Sequence, residues 1–171
     1  MRAIYYLAAA AACAVLLMAQ AGIAGEDAAA EMVKPDGTIV MTTQDYQRDW
    51  TVLGTWAHLD DNGVQQFNVV YTQPETVTAY RQTGKFPAGA VLIKELRQGV
   101  TTVDGKDKVS SLGALTGWFV LIKPPETGAP QGPLWGDGWG WAKFNANAPD
   151  ATITKNYRTE CIACHAPVKS T

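Results

Sequence analysis

The chain predicts a mainly β fold (α+β): one antiparallel β-sheet domain with a few short helices. Three observations point there. From Thr51 to Ala142, branched and aromatic residues gather in short runs between clusters of Gly, Pro, Asn and Asp. No amphipathic segment is long enough for a helix bundle. The length of 171 residues, with 47% apolar and 18% charged residues, suits a single globular domain.

Taken in order, residues 1–24 read as a secretory signal peptide. Arg2 supplies the positive end, Ala3 to Met18 the apolar run, and Gly22-Ile23-Ala24 the small residues of a cleavage site. A membrane anchor fits less well: a spanning helix needs roughly 20 apolar residues, and Gly25-Glu26-Asp27 is an acidic flank. Cys13 follows Ala10-Ala11-Ala12 without the leucine of a lipidation site. Residues 25–43 are small, mixed and weakly periodic, which predicts a flexible arm with little structure of its own. The folded domain is expected over residues 44–171.

Within it, Asp45 to Trp50 can make one helical turn. Thr51 to His58 and Val64 to Thr72 predict two strands about the turn cluster Asp60-Asp61-Asn62-Gly63, with Phe67, Val69 and Tyr71 sharing a face. Pro74 to Thr83 predicts a short helix, since Pro suits its first position and Gly84 its end. Ala90 to Gln98 and Thr116 to Lys123 are further strands. Lys123 to Gly136 holds four Pro and three Gly and reads as a loop. Trp139 and Trp141 alternate with small residues in another strand. Thr154 to His165 is expected to be helical, capped by Thr154.

Charge and reactive residues narrow the chemistry. The net charge is −2 and no basic stripe is present, which argues against nucleic acid. Three Cys and two His are too few for paired zinc fingers or a multi-bridge disulfide scaffold. Once the signal is removed, only Cys161 and Cys164 remain, and no stretch is left that would hold the chain in a membrane.

Those two cysteines fall in Cys161-Ile162-Ala163-Cys164-His165, the Cys-x-x-Cys-His pattern of covalent haem c attachment. Two thiols so spaced can reach the two vinyl groups of one haem, and the adjacent His165 can ligate its iron. A zinc site, a thioredoxin-type redox pair and a simple disulfide are the alternatives. Zinc would need His58, the other histidine, as a fourth ligand; a redox pair would sit in a βαβ unit, which is not seen. His58 itself, at a strand end, reads as a surface or hydrogen-bonded residue. After the motif only Ala166 to Thr171 follow, without a Met; Met32 and Met41 lie upstream. No second axial ligand is evident, and an open iron position favours binding or activating a small molecule over pure electron transfer.

In Ala90 to Gln98, alternation puts Val91, Ile93, Glu95 and Arg97 on one face and Leu92, Lys94 and Leu96 on the other. Lys94 thus projects between two leucines. It is either an edge or snorkelling lysine, or an amine directed into a pocket, where desolvation makes it reactive.

The ordered set Asp45-Tyr46, Asp49-Trp50 and Gly54; Pro74-Glu75, Tyr80 and Thr83-Gly84; Phe86-Pro87-x-Gly89-x-Val91 with Lys94-Glu95; Trp139-Gly140-Trp141-Ala142; and Cys161-x-x-Cys164-His165 resembles the cytochrome P-460 family, which includes the β-sheet cytochromes c′-β. The resemblance spans residues 43–168 and implies an exported, periplasmic, mainly β protein with one covalent haem c per chain, often a homodimer. It implies oxidation of hydroxylamine or related nitrogen compounds, with electrons passed to a periplasmic acceptor. It matches Lys94 to a lysine cross-linked to the haem edge. For the cytochromes c′-β it implies instead binding of nitric oxide or carbon monoxide without a cross-link. Electron transfer alone, with His58 or another group as sixth ligand, is a third reading. Aromatic residues and the carboxylates Asp137 and Glu160 are candidate distal bases, each of which also reads as structural. The resemblance also leads one to expect an aromatic tail beyond the haem motif, where this chain is short.

Overall fold

The computed structural model describes residues 23–166. Six strands form one antiparallel sheet in the order β1-β2-β3-β4-β6-β5. They are β1 (Thr51–Asp60), β2 (Gly63–Thr72), β3 (Val91–Asp104), β4 (Asp107–Ile122), β5 (Trp135–Gly136) and β6 (Trp139–Asn145). The helices among the described residues are α1 (Ile23–Met32), α2 (Tyr46–Asp49), α3 (Pro74–Thr83), α4 (Tyr157–Glu160) and α5 (Ile162–His165). The fold is mainly β, as the sequence predicts. Helix α3 has the expected bounds: Pro74 opens it and Gly84, at φ 69°, ends it in the left-handed conformation that glycine adopts without strain.

Residues paired across antiparallel strands point to the same side of the sheet, so the register sorts every side chain onto one of two faces. On the first, Ile93 opposes Tyr71 and Val120, Glu95 opposes Val69 and Trp118, and Phe144 opposes Trp118. Val91, Ile93, Val120, Ile122 and Phe144 form the main core there. On the second face, Lys94 lies between Val70 and Phe119, and Leu92 between Thr72 and Leu121. The predicted division of β3 is therefore observed: Glu95 points into the core and Lys94 away from it.

The core face holds the first correction. Residues 25–43 are not a flexible arm. Helix α1 packs Ala28, Ala29 and Met32 into the core, and Ile39 follows them after a bridge between Val33 and Ile39. The Trp135 indole N–H donates to the Gly37 carbonyl at 2.7 Å, and the Glu31 carboxylate accepts from the hydroxyls of Thr42 and Thr43 at 3.0 Å. Alanine is the best helix former and packs closely without a bulky apolar stripe, which is why no periodic signal announced this helix. The segment read as a signal peptide lies outside the described residues, apart from its last two positions.

Strands β3 and β4 also run further than expected. Residues 99–112 form a two-stranded ribbon, set off from the main sheet by register shifts around Arg97. Its Ser, Thr, Lys and Asp residues are held by the backbone ladder rather than by burial, so their polarity gives no strand signal. At the other end, the expected helix over 154–165 is two single turns, α4 and α5, interrupted at Cys161 (φ −118°, ψ −43°). Its cap is Asn156, whose side chain accepts from the Arg158 N–H at 3.0 Å. Thr154 instead accepts from the Lys143 N–H at 2.9 Å, pinning the incoming chain along β6.

Tyr157 anchors that C-terminal segment. It is buried with Trp141 and Cys161, its ring stacks on Trp141 at 6.0 Å, and its hydroxyl lies against Gly136. A Cβ at Gly136 would sit 1.9 Å from that hydroxyl. Gly136→Ala should thus displace Tyr157 and lower stability by about 1–3 kcal/mol; a denaturant midpoint equal to that of the wild type would refute this.

Candidate functional site

The second face of the sheet is the floor of a cavity of about 490 Å³. Strand alternation supplies Trp56 and His58 from β1, Gln66, Asn68 and Val70 from β2, Leu92, Lys94 and Leu96 from β3, Phe119 and Leu121 from β4, and Trp141 and Lys143 from β6. The two C-terminal turns form its lid, bringing Cys161, Cys164 and His165 to the same space. Lys94 and the Cys-x-x-Cys-His residues, more than sixty positions apart in the chain, thus meet in one cavity.

Helix α4 aims the motif. The Glu160 carboxylate accepts from the backbone N–H groups of Lys155 and Asn156 at 3.1 and 3.2 Å. It closes the turn before Cys161, which gives it a structural task, and it also lines the cavity. Cys161 is buried, Cys164 is exposed, and both are free thiols. Burial pushes the Cys161 thiol above the usual range, with the Glu160 carboxylate adding to it. The His165 ring meets the Trp141 ring edge-on at 4.9 Å, and burial together with Lys94 lowers its basicity.

Lys94 is half-buried. Its ammonium lies 4.5 Å from the centre of the Phe119 ring and 5.7 Å from that of Trp56. Burial pulls its pKa below the ordinary lysine range, Lys143 pulls it further down, and Cys164 acts in the opposite sense. The edge-lysine reading of Lys94 therefore does not describe it: β3 is an interior strand. Lys143 was not singled out from sequence, although it continues the alternation Trp139-x-Trp141-x-Lys143. Its ammonium sits 5.1 Å from the same Phe119 ring, so two cations flank one aromatic ring. Gln66, Asn68 and Val70 were missed likewise, though they alternate with the Phe67, Val69 and Tyr71 face.

His58 is exposed and lines the cavity from the outer strand. Asp137 occupies the β5–β6 turn with φ 52° and lines a neighbouring cavity of about 390 Å³ with Phe86, Trp139 and His165.

These residues fit the haem implied by the motif. The main cavity has the volume of a cofactor site and an aromatic and aliphatic wall, with two thiols and an imidazole at one edge and two lysines on the floor. Bound there, haem would supply an iron centre for ligand binding and electron exchange. Among the described residues, no three His, Cys, Asp or Glu side chains gather as a metal-ion cage, so the zinc reading finds no support. Comparison with curated proteins gives no match. The family model for cytochrome P460 matches residues 43–171, a span that takes in the whole sheet and the Cys-x-x-Cys-His turn. By that match the chain belongs to the cytochrome P460 family and is a haem cytochrome.

Proposed function

We propose that the protein is an exported cytochrome carrying one covalent haem c, and that it oxidises hydroxylamine or a related small nitrogen compound. In this reading Cys161 and Cys164 hold the haem through thioethers, His165 ligates the iron, and the opposite side stays open to the substrate. A single observation carries it: Cys161, Cys164, His165 and Lys94 line one cavity. Two hydroxylamine molecules give one nitrous oxide, one water, four protons and four electrons. The electrons pass to a periplasmic acceptor.

Lys94 would bond through Nζ to the haem edge. One N–H and one C–H hydrogen are then lost to a peroxide-class oxidant, which leaves as water. The lysine's low basicity and its place on the cavity floor support this reading, because a neutral amine is the nucleophilic form. The signal peptide reading of residues 1–24 supports a periplasmic location, and no helix among the described residues is long and apolar enough to cross a membrane. A homodimer is consistent with the exposed Val52, Leu53, Trp56 and Leu59 on the outer strand β1.

The walls of Leu92, Leu96, Phe119 and Val70 favour a second reading, binding of nitric oxide or carbon monoxide without turnover. The absorption spectrum of the reduced protein separates the two. A ferrous band well to the red of an ordinary c-type band, abolished by Lys94→Ala together with hydroxylamine oxidation, is expected. An ordinary high-spin c-type spectrum unchanged by Lys94→Ala would favour gas binding. A low-spin six-coordinate spectrum that His58→Ala converts to high spin would overturn both in favour of electron transfer.

A further inference from the structure

The cavity floor contains a polar group that the fold itself does not use. Asn68 is 1% exposed. Its side-chain oxygen accepts from the Gln66 amide at 3.0 Å, but its own amide nitrogen has no hydrogen-bond partner. A buried amide without a partner is costly, and folded proteins rarely keep one without a reason. Exchanging oxygen and nitrogen in the Asn68 amide alone would set its N–H groups against those of Gln66, and exchanging both amides would leave the Asn68 oxygen without a donor.

The position of Asn68 indicates what the amide is for. It stands on the cavity face of β2, opposite Trp56 on one side and Leu96 on the other. Lys94 is reached through Val70, the next residue on the same face. Its cross-strand neighbours Trp56 and Leu96 are apolar and the amide is itself buried, so a hydrogen-bond donor here acts in a poorly hydrated space where its strength is greatest. Gln66 holds the amide oxygen from the side away from Lys94, and the hydrogen-bonding capacity of the N–H groups stays unused.

We propose that Asn68 is the hydrogen-bond donor that selects ligands carrying an acceptor atom, such as nitrogen oxyanions and hydroxylamine, over nearly apolar diatomics in this cavity. It acts on the bound ligand and is oriented by Gln66. The inference rests on the reading above in which a small molecule enters the cavity and meets haem iron. Sites built to hydrogen-bond a ligand discriminate strongly against analogues that leave the buried group unpaired.

The test uses the haem-loaded protein and direct binding titrations followed by absorbance. The probes are nitrite for the oxidised form and carbon monoxide for the reduced form. Asn68→Leu should weaken nitrite binding by about tenfold or more, in line with loss of one charge-assisted hydrogen bond. It should leave carbon monoxide affinity within about twofold and raise the C–O stretching frequency of the bound gas. Asn68→Ser, which keeps a donor, should recover part of the nitrite affinity. Removing an unpartnered buried amide should also raise the thermal midpoint of Asn68→Leu; a lower midpoint with unchanged nitrite affinity would make Asn68 a packing residue and overturn the proposal. Equal losses for both probes would overturn it as well. If the wild-type protein binds neither probe, the open-site reading fails together with this one; if it binds both and Asn68→Leu changes nothing, this one fails alone.

Discussion

In a Lys94→Ala background, where no amine bond can hold the haem, the double variant Cys161→Ser/Cys164→Ser should retain no haem on a denaturing gel, whereas the same background with both cysteines should keep its haem through denaturation. Each single variant should keep the haem through one remaining thioether, with the ferrous band moved to the red by the unreacted vinyl group. The reason is geometric. The lid turns place both thiols at the same cavity, Cys161 at the junction of the two turns and Cys164 within the second. The thiols should not behave alike before attachment. Cys161 is buried and its thiol is held above the usual range, while Cys164 is exposed. Since the thiolate is the reactive form, an alkylating reagent applied to haem-free protein should label Cys164 first, as mass spectrometry of the digested chain would show. Haem that washes out of the denatured wild type would refute covalent attachment through these residues.

The second large effect is on folding. Glu95→Ala should cost about 3–5 kcal/mol, the range for removing one partner of a buried ionic network. Glu95 is fully buried on the core face. It accepts from the Tyr46 hydroxyl at 2.6 Å, from the Gln47 amide and from the Arg97 guanidinium at 2.7 Å. The Trp118 indole N–H in turn donates to the Tyr46 oxygen at 2.8 Å. Truncating the carboxylate leaves a buried phenol, an amide and a cation without their acceptor. Glu95→Gln keeps an acceptor and should cost less.

The same network has a pH signature. Burial alone would raise the Glu95 carboxyl, but the bonds from Arg97, Tyr46 and Gln47 outweigh it and hold the group below the usual carboxylate range. A lowered native pKa contributes stability that is present above the unfolded value of about 4.3 and is lost as pH falls through the native one. Urea midpoints should therefore fall more steeply with acid in the wild type than in Glu95→Gln. Parallel curves for the two proteins would remove Glu95 as the cause.

Much of this architecture was legible in the chain. Helix α3 was marked at both ends by Pro74 and Gly84, and β2, β3 and β6 by clear alternation. The direction of Lys94 followed from the same alternation, because a strand buried on both faces still assigns neighbours to opposite sides. What stayed hidden had weak or misleading polarity. The Ala-rich α1 buries small residues that carry little hydrophobic pattern. The ribbon of residues 99–112 is polar because it lies beyond the core. Gln66, Asn68 and Lys143 carry no sequence signal of a site, because only the lid formed by distant residues 157–165 turns that side of the sheet into an interior. The partnership of Tyr46 with Glu95 is likewise non-local, although both belong to the ordered residues that carry the family resemblance.

The sheet also works as a partition. The larger core, Glu95 and its donors with Ile93, Val120 and Phe144, lies on one side; the cavity, with the smaller cluster of Trp141, Tyr157 and Cys161 at its edge, lies on the other. Each strand contributes to both through the parity of its positions. Substitutions at Gln66, Val70 or Phe119 therefore reshape the cavity wall while drawing little on the groups of the larger core. A protein divided in this way can change its chemistry one odd or even position at a time, which makes it a tractable scaffold for selecting new haem activities.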